Sequence, residues 1–169
     1  LDGSRHTELV LANEAVDIDG VVTIGRGGRV IGATYAIDAS RVDYFDPTYR
    51  ALRQQLSRAI PELPLVSFVS ASGDEKVLLV FAASDHDPGR YFLFDRQSNT
   101  LTGLMRVRPE LAKVNLARVQ AISYAADDGT RIPAYLTLPP GKDSAKGLPA
   151  IVMPHGGPAA RDVWGFDWL

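Results

Sequence analysis

Short apolar runs broken by Gly, Pro, Asn or Asp dominate the first two thirds of the chain. Residues 7–12 (TELVLA), 20–25 (GVVTIG), 29–37 (RVIGATYAI) and 41–45 (RVDYF) are predicted strands, and Gly25-Arg26-Gly27-Gly28 is a turn between the second and third. The period then changes. Tyr49, Leu52, Leu56 and Ile60 fall on one helical face, Asp46 suits the cap and Pro47 the first helical position, so a helix is predicted near 47–60. Pro61 and Pro64 end it.

From 65 to 107 the pattern is at its most regular: LVSFVSAS, KVLLVFAAS, RYFLFDR and TLTGLMRV follow one another as four strands. Gly73-Asp74, Asp87-Pro88-Gly89 and Gln97-Ser98-Asn99 supply the turns. The runs VLLVF and YFLF are apolar at consecutive positions, which fits an inner strand covered on both faces. Four short antiparallel strands of that kind form one blade of a β-propeller; a β-sandwich is the competing architecture. Weak self-similarity between 20–45 and 65–107 points to repetition, although the helix stands where a last blade strand would be expected. A single blade leaves raw edges, so the propeller is incomplete here and self-association through those edges is expected.

Beyond Pro109 a short helical piece (PELAKVN) leads to a hairpin, 119–124 and 131–138, around Asp127-Asp128-Gly129. A polar loop at 139–147 (PPGKDSAKG) precedes 149–153 (PAIVM), predicted to be a short strand buried in a central sheet. That strand delivers Pro154-His155-Gly156-Gly157-Pro158. The division expected is 1–117, the later part of a propeller, and 118–169, the opening of a second domain.

Composition narrows the function without naming it. The 169 residues are 46% hydrophobic and 22% charged with a formal net charge of -2, a globular balance with no basic footprint for nucleic acid. No apolar run suits a membrane span and no secretory leader is visible, so a soluble protein is expected, the cytoplasm favoured over the periplasm. Zero cysteines exclude disulfides, thiolate metal sites and a Cys nucleophile. No metal site and no cofactor are expected. Opening on Leu1 fits a piece of a longer polypeptide.

An apolar strand ending in His-Gly-Gly-Pro resembles the oxyanion-loop strand of the prolyl oligopeptidase family of serine peptidases, especially its acylaminoacyl-peptidase-like branch. The hairpin SYAADDGTRIPAYLTLPPG is similar to the first strands of that family's α/β-hydrolase domain. ARDVWGFDWL is similar to the segment after its glycine pair, and the blade and FDP-plus-helix element to its last propeller blades. The resemblance implies a mainly β chain, incomplete propeller blades followed by opening hydrolase strands. It also implies a parent that cleaves short peptides, acylaminoacyl- or dipeptidyl-peptidase-like, with a Ser-His-Asp triad.

By the same resemblance the Gly157 N–H is the oxyanion donor, while His155, Gly156 and Pro158 shape the loop. The chemistry fits, because acyl transfer builds charge on a carbonyl oxygen and a fixed backbone N–H stabilises it. A glycine lets the backbone approach closely. The peptidase assignment depends on 149–158 having a sheet behind it rather than being a surface coil.

The nucleophile is missing. Ser70, Ser72 and Ser144 lack the G-x-S-x-G context, and the hydrolase order of Ser, Asp, then His would place all three after the glycine loop. Of the three histidines, His6 and His86 precede the hydrolase part, so the chain alone is expected to be inactive.

Other clusters have plainer readings. Asp85-His86-Asp87 is a polar turn rather than a metal or acid–base site, since Pro88-Gly89 completes it. Asp17-Ile18-Asp19-Gly20 lacks the glutamate that would finish a calcium loop, and Gly25–Gly28 lacks the lysine of a phosphate loop. Trp164, Phe166 and Trp168 are read as packing between domains, and Arg161 with Asp162 as a local salt bridge. Two functions compete with the peptidase: an esterase or lipase, against which Pro158 stands in place of a third glycine, and a non-catalytic β-rich interaction module.

Overall fold

A computed structural model describes residues 7–142 and 146–168; His6 and Ser144 lie outside the described residues. The chain is mainly β. Gly20–Ile24 (β1), Arg29–Ala36 (β2) and Ser40–Tyr44 (β3) form an antiparallel sheet in that order. Pro47–Ala59 is the helix (α1). Leu65–Ala71 (β4), Val77–Ala83 (β5), Arg90–Asp95 (β6) and Thr100–Arg106 (β7) form a four-stranded antiparallel meander. Val119–Ala125 (β8) and Arg131–Thr137 (β9) pair as a separate hairpin.

The helix forms where its signals stand. Asp46 Oδ1 accepts from the Thr48 N–H at 2.8 Å, and Pro47 occupies the first turn. Tyr49, Leu56 and Ile60 are buried and Leu52 is half-buried, so the face marked by the periodicity is the one that packs.

That face closes a single core shared by the two larger sheets. Ile24, Ile31 and Tyr44 come from the first sheet, Val66, Phe68, Leu78, Val80, Ala82 and Phe94 from the second. Phe68 stands edge-on to Tyr44 at 5.6 Å and to Tyr49 at 5.0 Å, joining sheet, helix and sheet through one ring.

The opposite face of the four-stranded sheet is apolar too. Phe81, Tyr91 and Met105 lie side by side across β5, β6 and β7, with Leu79 beside Leu93 in the next row. Leu93 and Met105 are exposed, so the residues that made VLLVF and YFLF look two-sided do reach both faces.

Three expectations fail. Residues 7–12 form no strand, and Leu9 and Val10 are exposed; a segment with no ladder partner among the described residues leaves its amides to water. The helical piece after Pro109 is one 3-10 turn, Pro109–Leu111. Residues 149–153 are not a strand and have no sheet behind them: Ile151 is 88% exposed and Val152 87%. Among the described residues no segment pairs with them.

Candidate functional site

The glycine loop 155–158 sits on that exposed segment. The His155 Nδ1 lies 2.7 Å from the Gly156 carbonyl, a contact that requires the proton on Nδ1 and folds the imidazole back on its own backbone. The Ala160 N–H closes a tight turn onto the Pro158 carbonyl at 3.1 Å. A Cβ at Gly157 would stand 3.3 Å from the Ala159 nitrogen and 3.6 Å from the His155 Nδ1, so a side chain there would crowd the loop. Gly156 faces open space. The structure thus gathers His155, Gly156, Gly157 and Pro158 into one exposed turn.

The chain just beyond the loop is firmly held. The Arg161 guanidinium donates through Nη1 to the Ala36 carbonyl at 2.9 Å and through Nη2 to the Ile37 carbonyl. Its Nε–H points at the backbone carbonyl of Asp162 at 3.4 Å; the side chain spans back to the first sheet, not to the neighbouring carboxylate expected from the sequence. The Trp164 N–H donates to the Asp38 carbonyl at 2.8 Å, a bridge that sets Trp164 parallel to Ala39. The Tyr135 hydroxyl, on β9, donates to the same Asp38 carbonyl. Burial raises the Tyr135 pKa above the ordinary phenol range. Trp164 is half-buried at this junction, whereas Trp168 is exposed.

A second junction lies beside it. Asp85 is buried; its Oδ1 meets the His86 Nδ1 at 2.6 Å and its Oδ2 accepts from the Val119 N–H at 2.8 Å. The Val119 carbonyl accepts from the Trp164 indole N–H at 2.8 Å. Both backbone groups at the start of β8 are thereby occupied, one from the β5–β6 turn and one from beyond the glycine loop.

Asp85-His86-Asp87 is a turn, as expected, closed by the Ser84 N–H on the Asp87 carbonyl at 3.1 Å. Ser84 Oγ also lies 3.3 Å from the His86 Nδ1, the nitrogen that Asp85 already holds. A relay needs the nucleophile on one ring nitrogen and the carboxylate on the other, so Ser84, His86 and Asp85 are not a triad. Asp87 gathers Arg90 at 2.6 Å and Arg106 at 3.4 Å. Burial alone would raise its pKa, but the Gly89 amide and the two guanidinium groups outweigh that and hold it below the carboxylate range.

The remaining clusters serve the fold. Gly25–Gly28 is a turn closed by the Gly28 N–H on the Gly25 carbonyl at 3.2 Å, and the Asp19 N–H donates to Thr34 as the chain enters β1. Ser70 is exposed on β4, and Ser72 is engaged with Asp74 at 2.8 Å. Among the described residues no helix is long and apolar enough to cross a membrane, and no three His, Asp or Glu side chains converge. Sequence reasoning read Asp85 only as part of a turn and missed its bond to Val119 and the backbone corner 36–38; an aspartate two residues after the apolar β5 was the one local hint.

No protein-family model matches the chain, and no solved structure does. Curated proteins do. Over 178 aligned positions the chain is 30% identical to dipeptidyl aminopeptidase BIII of Pseudoxanthomonas mexicana, covering 98% of this chain and 25% of that protein. Over 128 positions it is 33% identical to dipeptidyl peptidase family member 6 of Caenorhabditis elegans, covering 62% of this chain and 17% of that protein. The chain therefore spans a quarter or less of the length of these relatives, both of them dipeptidyl peptidases by name.

Proposed function

We propose that the chain is a section of a serine peptidase of the prolyl oligopeptidase kind that removes dipeptides from short peptides. Residues 1–117 would belong to a propeller and 118–169 to the start of the hydrolase domain. One observation carries the reading: similarity to a dipeptidyl aminopeptidase runs over 98% of the chain, across both of its parts. The two-faced apolar meander at 65–106 and the His-Gly-Gly-Pro turn are what such a section would contain.

The loop's exposure shifts where the support lies. Geometry alone gives no oxyanion hole, since 149–153 has no strand partner among the described residues. On this reading the partners belong to further residues of the gene product, which cover Ile151 and Val152 and leave the Gly157 N–H at the lip of a sheet. There it would stabilise the developing oxyanion, a contribution of about 3 kcal/mol for one such donor. His155, Gly156 and Pro158 would hold the turn, and the triad would come from residues outside this chain.

A fluorophosphonate probe tests the class and a substrate panel the specificity. The complete gene product should label at a serine and release dipeptides from dipeptidyl amides with a free N-terminus. This chain alone should not label. Faster cleavage of an N-acylated amino acid amide would replace the dipeptidyl assignment with acylaminoacyl release. Failure of the complete product to label would remove the serine peptidase reading altogether.

A further inference from the structure

The corner at the end of β2 is used in an unusual way. Three consecutive carbonyls, those of Ala36, Ile37 and Asp38, accept from residues far along the chain. Arg161 takes two of them and Trp164 the third, within seven residues of Gly157. The indole of the same Trp164 reaches the carbonyl of Val119, whose N–H is held by the buried Asp85.

Among the described residues the hydrogen bonds of the glycine loop stay within 155–160, and a turn of four residues has no means of fixing its own direction. Whatever orients it must act through the residues on either side. Upstream, 149–153 is exposed and unpaired. Downstream, Arg161 is the first residue after the loop whose side chain reaches the first sheet.

We propose that Arg161 is a positioning residue: it mounts the Gly156–Gly157 turn on the 36–38 corner, with Trp164 and Asp85 as the second fixing point. A guanidinium suits the role because its planar fork presents separate N–H groups to two adjacent carbonyls in a fixed geometry, whereas a lysine offers one compact ammonium on a flexible stem. The consequence for catalysis rests on the peptidase reading, whereas the mount itself does not. A misplaced donor amide weakens the transition state far more than it weakens substrate binding.

Two measurements separate these claims. Backbone hydrogen exchange at the hydrogen-bonded Ala160 and Trp164 amides in this chain should speed about tenfold in Arg161→Ala, with Arg161→Lys intermediate. Unchanged exchange overturns the mount, whatever the enzyme does. In the complete gene product, Arg161→Ala should lower kcat on a dipeptidyl amide about 10- to 100-fold with KM little moved, and slow fluorophosphonate labelling in parallel. A wild-type rate of labelling in Arg161→Ala overturns the positioning role, while a wild-type protein that never labels overturns the peptidase reading instead. Should Arg161→Ala fail to fold, Trp164→Phe keeps an aromatic ring and removes the indole donor. It should speed exchange at the same amides, and exchange at the wild-type rate would count against the mount.

Discussion

Two apolar runs in this chain have met opposite fates. Val77–Ala83 (VLLVFAA) is β5, flanked by β4 and β6, and its Leu78, Val80 and Ala82 are wholly buried. Residues 149–153 (PAIVM) have a comparable composition, yet Ile151 and Val152 stand out in solvent and no ladder forms. The difference lies in the neighbours. A strand's backbone groups are satisfied by other strands, so its stability is a property of the pair, and β-propensity measures the fit to a surface that must already exist.

The sharpest way to break that contrast is to place one charge in each run. Val80→Asp should cost more than about 4 kcal/mol, because the carboxylate would lie in the shared core with no partner, and the chain should lose its cooperative unfolding transition. Val152→Asp should change the stability of this chain by less than about 0.5 kcal/mol, as at any exposed site. Urea unfolding followed by circular dichroism measures both. Equal destabilisation by the two would show that 149–153 is packed after all. In the complete gene product Val152→Asp should become nearly as damaging as Val80→Asp, if the proposed sheet covers it.

A glycine in each region extends the comparison with a smaller effect. Gly89 has φ near +121°, and a Cβ there would meet the Phe81 ring at 2.3 Å. Gly89→Ala should cost about 2–4 kcal/mol from backbone strain and overpacking together. Gly156 has nothing within 4 Å of a built Cβ and no positive φ, so Gly156→Ala should leave this chain's urea midpoint unmoved. A Gly89→Ala protein as stable as wild type would mean that the Phe81 ring swings aside freely.

How much of this was legible depends on the same rule. Strands β1 to β9 were all visible from short apolar runs and turn residues, and α1 from Asp46, Pro47 and the Tyr49–Leu52–Leu56–Ile60 stripe, because those signals are local. The failures at 7–12 and 149–153 came from trusting an apolar pattern without a partner. Asp85 and Arg161 were unreadable for a related reason. Their bonds to Val119 and Ala36 span 34 and 125 residues, and a backbone amide or carbonyl acceptor carries no side-chain signature. The His-Gly-Gly-Pro turn was legible as a motif, but its surroundings were not.

Electrostatic links in the packed region offer a gentler probe. Glu75 adopts φ 54°, a strained value for a residue with a side chain, and is held there by its neighbours. Its carboxylate accepts from Arg29 at 2.8 Å and from the Tyr49 hydroxyl at 3.0 Å, and Arg29 also reaches Asp46 at 2.7 Å. Arg29 above all holds both carboxyls below their ordinary range. Groups whose pKa is depressed by folding stabilise fully above the unfolded value and lose that contribution as pH falls through the folded one. Stability should therefore begin to fall below about pH 4, by about 1 kcal/mol or less per group because the site is partly solvated. Glu75→Gln should flatten this part of the acid limb in a pH series of urea midpoints, and an unchanged limb would place the acid sensitivity elsewhere.

One expected change has the opposite sign. The Tyr44 hydroxyl is buried in the shared core without a hydrogen-bond partner among the described residues. Burial pushes the pKa of that phenol up to about 12. An unpaired buried hydroxyl costs its desolvation, and removing it leaves the ring to pack edge-on against Phe68 as before. Tyr44→Phe should thus be neutral or stabilising by up to about 1 kcal/mol, with an unchanged urea m-value. A loss of more than that would mean the hydroxyl has a bound water as its partner, and that the packed half of the molecule is wetter at its centre than its side chains suggest.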